Sequence, residues 1–233
     1  MSDISSTVKL HLDSDALISN WRALDEMSGS ANAGAAVKAN AYGLGAIETT
    51  RRLQSAGCRD FFVANWQEAS EIEPLIDANT KISVLNGIRP EDMKTATSSR
   101  AKPVLNTIEQ IKRWSVTNRP CDIMINTGMN RLGIDAVDLA GADVGALSID
   151  MAMSHLASAD EDRQQNTDQL NEYTSSIAGV VAKRFSLANS AGIALGPKYQ
   201  FDCTRPGLSL YGGIPRNELS RIIRQVVFPQ AQI

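Results

Sequence analysis

The sequence predicts an α/β protein whose parallel strands close into a TIM-type (β/α)8 barrel. Strand-sized apolar runs recur at an even spacing along the chain, and amphipathic, helix-compatible segments lie between most of them. This alternation is typical of a parallel sheet. An open doubly wound sheet is the alternative, but its nucleotide-binding version would carry GxGxxG after the first strand, and that motif is absent there.

Eight runs are candidate strands, because each is short and apolar and most are bounded by Gly, Pro or Asn. They cover residues 33–38, 61–65, 81–86, 101–106, 121–126, 149–155, 185–189 and 203–207. Pro206 has no N–H to donate to a neighbouring strand, so the last run departs from the pattern of an ordinary central strand.

Four segments between these runs are candidate helices. Residues 46–57 follow the helical period and stop at Gly57, a residue type that commonly follows the end of a helix. Residues 65–79 and 106–118 behave likewise, and residues 158–184 form the longest such segment.

The two ends of the chain do not fit the barrel repeat. Residues 6–14 alternate like a strand but precede the first βα unit, and residues 224–233 resemble the beginning of another strand. We therefore expect an N-terminal strand outside the barrel repeat in 1–14, the barrel in 15–220, and the start of a truncated C-terminal β domain in 221–233. The N-terminal strand is expected to have lost its sheet partners.

Composition and charge argue against several classes of partner. The 43% of hydrophobic residues supports an ordinary core, and the net charge of −3 argues against nucleic acid or an anionic membrane as partner. No apolar run approaches the length of a membrane span, and the first residues lack the apolar stretch of a signal peptide. Cys58, Cys121 and Cys203 have no metal-ligand spacing, so we expect reduced thiols in a cytoplasmic protein and no metal site.

Polar residues follow several of the predicted strands. Catalytic residues of parallel barrels lie at the C-terminal ends of the strands and in the loops after them. Six candidates occupy such positions: Lys38, Arg131, His155, Asn189, Ser190 and Arg205. Each of them alone could be structural, but six on one face predict a functional site.

Lys38 ends an apolar run and is followed by "ANAYGLG" (39–45). Small residues there would let a bulky group approach the backbone. A lysine amine is a poor base or nucleophile at its usual pKa of about 10.4, but apolar surroundings or a Schiff base to an aldehyde cofactor make it useful near neutral pH. A lysine that merely extends along the surface is the structural alternative.

His155 is one of two histidines in the chain. A single histidine at a strand end is more often a hydrogen-bonded structural residue than an acid or a base. We therefore expect His155 to support the site indirectly and His11 to be structural.

The remaining candidates each allow two interpretations. Arg131, within "NTGMNRLGI" (126–134), can bind a carboxylate or belong to an ordinary turn. Asn189 and Ser190 can bind a phosphate at a helix start or simply cap that helix. The backbone at Gly207 suits a phosphate, and Arg205 can serve the site or form an ion pair.

Five segments resemble the signature motifs of alanine racemases. They are "AVKANAYGLG", "NTGMNRLG", "SHLASADE", "LANSAGI" and "RPGLSLYGG", their order and spacing fit, and the similarity spans residues 8–233. The resemblance implies the type III fold of pyridoxal-phosphate enzymes, with an N-terminal barrel, a mostly β C-terminal domain and a head-to-tail homodimer. It implies racemisation of L-alanine to D-alanine for peptidoglycan synthesis in the cytoplasm.

The resemblance also implies which residues hold the cofactor, pyridoxal 5'-phosphate. Lys38 would carry it as a Schiff base and act as one of the two acid/base groups. Tyr42, Ser190 and the backbone of Gly207 and Leu208 would hold the phosphate.

Five further residues acquire roles in the same way. Arg131 would bind the substrate carboxylate, and His155 would support the arginine that faces the cofactor. Asn189 would lie beside the phosphate serine, and Leu85 would form an apolar wall. Arg205 would be the arginine that faces the cofactor, at its pyridine nitrogen.

An arginine at the pyridine nitrogen has a clear chemical consequence. A guanidinium only donates hydrogen bonds and keeps its proton to a pKa above about 12. It therefore disfavours a protonated pyridinium, weakens the ring as an electron sink and steers the proton back to the substrate's Cα rather than towards transamination. Inversion at Cα also needs two proton-transfer groups on opposite faces.

The chain departs from the family pattern at three points. The family's second acid/base is a tyrosine in the C-terminal domain, and none of the four tyrosines here lies in such a domain. We therefore expect a fragment that is weakly active or inactive. Met124 takes the position of a lysine that some members carbamylate, so no carbamate is expected, and Asn126 replaces an aspartate.

Two other functions are compatible with parts of the sequence. A non-racemising pyridoxal-phosphate barrel for cofactor homeostasis fits the length but not the motifs. A racemase for another amino acid, such as serine, fits the motifs, because the side-chain pocket depends partly on the C-terminal domain.

Overall fold

The computed structural model describes residues 8–142 and 144–231. The strands are β1 (Val8–Leu12), β2 (Asn32–Ala33), β3 (Ala35–Ala36), β4 (Asp60–Val63), β5 (Lys81–Val84), β6 (Lys102–Leu105), β7 (Pro120–Asn126), β8 (Ile134–Asp135), β9 (Ser148–Met153), β10 (Ala182–Ser186), β11 (Cys203–Thr204) and β12 (Val227–Ala231). The helices are α1 (Ser14–Met27), α2 (Lys38–Tyr42), α3 (Ala46–Ala56), α4 (Trp66–Ile72), α5 (Met93–Ser98), α6 (Ile108–Ser115), α7 (Ala136–Gly141), α8 (Gln164–Ile177) and α9 (Ser190–Ala194). Among these helices, none has the length and apolar character needed to cross a membrane.

The central sheet is parallel, with the strand order β3-β4-β5-β6-β7-β9-β10, and the short β8 pairs with β7 at one end. Two further contacts close it into a ring. β11 pairs in parallel with β2, and the Asp202 N–H donates to the Phe185 carbonyl over 3.0 Å beside β10. Because β2 and β3 are consecutive segments of one barrel strand, the predicted eight-stranded barrel is confirmed.

Every predicted strand position holds a strand, with two shifts in extent. The seventh strand was expected over 185–189 and instead covers 182–186, because residues 187–189 turn into the site. The eighth stops at Thr204, before the proline. Pro206 accepts rather than donates there, since its carbonyl receives the Ala36 N–H over 2.9 Å.

The sequence pattern did not predict α1, although it covers one side of the barrel. Asp13 caps this helix by accepting from the Ala16 N–H over 2.9 Å. Leu17 and Leu24 are fully buried on its inner face, and the Trp21 indole donates to the Ala33 carbonyl over 3.0 Å. Helices α5, α7 and α9 were not predicted either, and each has only five or six residues, too few to show a clear helical period.

β1 and β12 form a two-stranded antiparallel sheet outside the barrel, with Val8 opposite Ala231 and Leu12 opposite Val227. The expectation that the N-terminal strand has lost its sheet partners is therefore wrong for β1. Residues 6–7 and 232–233 of the predicted end strands lie outside the described residues, and the division of the chain into three segments stays a prediction.

Charged residues fill one layer of the barrel interior. Arg184 donates to both carboxylate oxygens of Asp60 over 2.9 and 2.8 Å and to Asp150 over 2.9 Å. Lys102 donates to Asp122 over 3.0 Å and also pairs with Asp150. Although burial opposes it, the charge of Lys102 lowers the pKa of Asp150 below its usual range, and Arg184 adds to this effect.

An apolar layer lies two residues further along several of the same strands, towards their C-terminal ends. Asp60 is followed in this way by Phe62, Lys102 by Val104, and Asp122 by Met124. Side chains two apart on a strand share a face, so both layers point into the barrel. The buried members of this layer are Ala36, Phe62, Val104, Met124, Met151, Met153 and Cys203.

Removing one charge from the charged layer should destabilise the barrel strongly. We expect Lys102→Met to lower the free energy of unfolding by about 3 kcal/mol, because it leaves Asp122 buried without its cation. Lys183→Met, a change at an exposed neighbour of this layer, is the matched control and should alter stability by less than about 0.5 kcal/mol. Denaturant titration measures both, and equal stability of the two variants would contradict the expectation.

Candidate functional site

A cavity of about 610 Å³ opens at the C-terminal ends of the barrel strands. All ten residues proposed from the sequence line it: Lys38, Tyr42, Leu85, Arg131, His155, Asn189, Ser190, Arg205, Gly207 and Leu208. The structure therefore brings the predicted site residues together, and their chemical roles are considered below.

Lys38 lies two residues after the end of β3, at the start of an unusual left-handed turn. Ala39, Asn40, Ala41 and Tyr42 all have φ between 53° and 57°, a region that costs about 1–2 kcal/mol per ordinary residue. Local hydrogen bonds offset this cost: Asn40 Oδ1 accepts from the Ala46 N–H over 2.8 Å. The turn places the Tyr42 ring against the Tyr211 ring, with 4.9 Å between centroids.

The Lys38 amine is partly buried in the cavity. Burial lowers the pKa of Lys38, the positive charge of Arg131 lowers it further, and Glu68 opposes both effects. Across residues 8–142 and 144–231, no side chain forms an ion pair or hydrogen bond with this amine. The amine is therefore closer to its neutral, nucleophilic form than a surface lysine would be.

Small residues and backbone N–H groups form a pocket that suits an anion. Ser190 Oγ accepts from the N–H of Gly207 over 3.0 Å and of Ser209 over 3.2 Å, while Asn189 caps α9 through the Gly192 N–H. A Cβ at Gly207 would overlap the Tyr42 hydroxyl and lie 3.2 Å from the Ala36 Cβ. Only glycine therefore leaves the hydroxyls and N–H groups this close together.

Arg205 is buried beneath the cavity with 6% of its surface exposed. Its guanidinium donates to Ser186 Oγ and to the Ser154 carbonyl, and the Phe62 ring centroid lies 6.0 Å from its Cζ. Burial lowers the pKa of Arg205. No carboxylate pairs with this guanidinium within the described residues, so its remaining N–H groups suit a neutral or anionic acceptor from a ligand.

His155 lines the cavity beside Asn189. Its Nε2 lies 3.5 Å from Asn189 Nδ2. Within the described residues no hydrogen bond joins His155 to Arg205, which donates to Ser186 Oγ and the Ser154 carbonyl. The role of His155 as a support of Arg205 stays a prediction. Burial, followed by the charges of Arg205 and Arg131, lowers the pKa of His155 to about 3. The imidazole is therefore neutral at physiological pH and accepts a hydrogen bond from the asparagine amide.

The turn that carries Arg131 is organised by Asn126. The asparagine Oδ1 accepts from the N–H of Gly128 and Asn130 over 3.2 and 3.0 Å, and its Nδ2 donates to Asp135 over 2.7 Å. An ionised aspartate could accept in the same way but could not donate to Asp135. The hydrogen bond to Asp135 therefore explains what asparagine provides at position 126, where the family pattern has aspartate.

Several residues around the site were missed from the sequence. Ser154 and Ser186 hold Arg205, Thr127 shares a hydrogen bond with Ser154 over 2.7 Å, and Gln169 of α8 reaches the same strand ends. Gln169 and Tyr173 are buried and four residues apart, the spacing of one helix face. For Gln169 and Tyr173, this helical spacing is the signal in the sequence that could have identified them.

His155 should contribute to the pH dependence of stability. The folded protein keeps His155 neutral while the unfolded chain takes up a proton below about pH 6.5, so its contribution is complete above that pH and is lost as the pH falls towards about 3. We expect His155→Gln to flatten the unfolding free energy between about pH 6.5 and 5, by at most about 1.4 kcal/mol per pH unit. Denaturant titrations at several pH values measure this, and identical slopes would contradict it.

The fold and the cavity define a class of protein. It is a parallel (β/α)8 barrel that has a partly buried lysine, an anion pocket and a buried arginine at the C-terminal ends of its strands. Residues 12–215 match the family described as alanine racemase, N-terminal domain. The chain belongs to this family, as its motifs indicated.

Relatives and solved structures agree with this assignment. Over 98% of its length the chain is 39% identical to alanine racemase of Cereibacter sphaeroides, and over 99% it is 37% identical to that of Rhizobium meliloti. The chain spans 66% and 63% of the lengths of these relatives. The crystal structure of alanine racemase from Bartonella henselae with covalently bound pyridoxal phosphate superposes with a TM-score of 0.92 at 32% identity, covering 98% of this chain and 67% of that one.

Proposed function

We propose that this chain is the barrel part of a pyridoxal-phosphate-dependent alanine racemase, which interconverts L- and D-alanine. The observation that carries the proposal is the convergence on one cavity of three groups: the Lys38 amine, the Ser190 pocket, and the Arg205 guanidinium, which has no ion-pair partner among the described residues. The relatives at 37–39% identity bear the same activity in their names.

The residues present fit the cofactor. Lys38 would hold its aldehyde carbon through the amine, and Ser190, Gly207 and Tyr42 would hold its phosphate. Arg205 would donate to its pyridine nitrogen. Because a guanidinium only donates hydrogen bonds, it disfavours protonation of that nitrogen. When bound, pyridoxal phosphate supplies an electron sink that stabilises the charge left on Cα after proton removal.

The chain's own residues would then position alanine and move its proton. Arg131 extends into the cavity from an exposed turn and would bind the substrate carboxylate through its planar fork of N–H groups. Burial and Arg131 both lower the pKa of Lys38, which favours its Nζ as the group that accepts a proton on one face of the substrate. Leu85 and Phe62 provide apolar walls beside this position.

Inversion needs a second proton-transfer group on the opposite face. The one tyrosine lining the cavity within the described residues is Tyr42, and its hydroxyl lies against Gly207, at the position proposed for the phosphate. We infer that the second group belongs to a C-terminal domain reaching from a partner in a head-to-tail homodimer. The family resemblance supports this arrangement.

The cellular setting follows from the same proposal. D-alanine would serve peptidoglycan synthesis, and the enzyme would act in the cytoplasm. Buried reduced thiols are compatible with that compartment: burial raises the pKa of Cys121 and Cys203 to about 12, which leaves them unreactive.

Loading the chain with pyridoxal phosphate tests the proposal. We expect the visible absorbance of a lysine-bound cofactor, and reduction with borohydride should add its mass to the peptide that contains Lys38. Lys38→Ala should abolish both signals, because no other amine is positioned in this cavity among the described residues. Lys112→Ala, a change at an exposed lysine of α6, should leave both unchanged.

Two results of that experiment would reject cofactor binding at this site. The first is the absence of absorbance in the wild-type chain at saturating cofactor. The second is an unchanged mass addition in Lys38→Ala, which would place the attachment at another lysine.

Activity of residues 1–233 alone tests the need for a second group. We expect interconversion of alanine enantiomers at least about 100-fold slower than in a longer relative, the contribution typical of one general acid or base. Separation of the enantiomers over time by chiral chromatography measures the rate. A rate equal to that of the longer relative would mean that the barrel itself carries both proton-transfer groups.

A further inference from the structure

We propose that Gln169 is a positioning residue that fixes the arginine-bearing turn after β7 to the end of β9. Gln169 belongs to α8, lies outside the cavity lining and is 1% exposed. Its three hydrogen-bond partners, Thr127, His155 and Ala157, line the cavity, so it acts on the site through the segments that carry them.

All the polar atoms of the Gln169 amide take part in hydrogen bonds to strand ends. Its Nε2 donates to Thr127 Oγ1 over 3.3 Å and to the His155 carbonyl over 3.0 Å. Its Oε1 accepts from the Ala157 N–H over 2.8 Å. One side chain therefore joins the segment after β7 to two points in the segment after β9.

The same hydrogen bonds extend towards the buried arginine. Thr127 Oγ1 lies 2.7 Å from Ser154 Oγ, and the Ser154 carbonyl accepts from the guanidinium of Arg205. Gln169, Thr127, Ser154 and Arg205 thus form a continuous chain of contacts from an outer helix to the floor of the cavity. Each member is buried, so a broken link leaves an unsatisfied polar group in a site of low dielectric constant.

The side chain of Gln169 also packs against the turn that carries Arg131. Its Cγ packs 3.9 Å from the position where a Cβ would lie on Gly128, three residues before the arginine. The opposite wall of the cavity, with Lys38 and the Ser190–Gly207 pocket, has no hydrogen bond to Gln169. Loss of the amide should therefore disturb carboxylate binding at Arg131 and spare cofactor attachment at Lys38.

This role rests on the carboxylate site proposed for Arg131, and Gln169→Met tests it. Methionine keeps the side-chain length and removes the three hydrogen bonds. With the pyridoxal-phosphate-loaded chain and propionate as a carboxylate probe, calorimetric titration should show about tenfold weaker propionate affinity, a loss expected from about 1.4 kcal/mol of mispositioning. Cofactor affinity should change by less than about twofold, because Arg205 keeps its hydrogen bonds to Ser186 Oγ and to the backbone carbonyl of Ser154. Gln164→Met, on the exposed face of the same helix where its partner is Asp168, should leave both affinities unchanged.

Amide hydrogen exchange of the unloaded chain gives a second readout that does not depend on the proposed activity. Gln169→Met should accelerate exchange in residues 126–131 and 154–157 and leave the remaining barrel strands unchanged. If wild type fails to bind propionate, the carboxylate site is rejected, and the exchange pattern alone decides the positioning role.

Other outcomes would overturn the proposal. Wild-type exchange in both segments together with wild-type propionate affinity would show that Gln169 positions neither. Should Gln169→Met not fold, Gln169→Glu replaces it, because glutamate retains the bond from Ala157 and loses both donated bonds. Global unfolding of both variants, seen by circular dichroism, would make Gln169 a general support of the barrel and likewise overturn the positioning role.

Discussion

The structure depends on the hydrogen bonding that closes the barrel between its first and last strands. The N–H groups of Gly34 and Ala36 donate to the carbonyls of Thr204 and Pro206, each over 2.9 Å. This closure places Lys38, which follows the first strand, beside Gly207, which follows the last. Without it, the amine and the anion pocket would lie at opposite edges of an open sheet, and no single cavity could contain both.

The charged side chains inside the barrel lie at two levels along its axis. At one level, the buried charges are balanced by direct ion pairs such as Lys102 with Asp122 and Arg184 with Asp60. Above an apolar layer that includes Phe62, the cavity holds cationic groups that lack such partners among the described residues. Burial, together with the positive charges of Arg131 and Arg205, lowers the pKa of Lys38 and His155. A cavity with these charges favours an anionic ligand, which is consistent with a phosphate and a carboxylate.

Much of the fold and the site could be predicted from the sequence. The strand-sized runs between helical segments predict the barrel, because strand position depends on local apolar pattern. The extent of β10 was shifted because Phe185 still pairs in the sheet while residues 187–189 turn into the site. The partner of β1 was missed because β12 lies more than 200 residues away in sequence, and local pattern contains no information about such pairing. The contact of His155 with Asn189 was not predicted, since motif spacing does not define side-chain direction.

The sequence by itself determined the order of the elements and the chemical groups available at the strand ends. An amine, two guanidinium groups, a serine hydroxyl and a glycine backbone were each present at a position that a parallel barrel turns towards one face. Only the tertiary structure decided which of these groups are desolvated and which residues hold them, as Ser186 and Ser154 hold Arg205. The physical reason is that burial and hydrogen-bond geometry depend on segments distant in sequence, and these come together only when the barrel has closed.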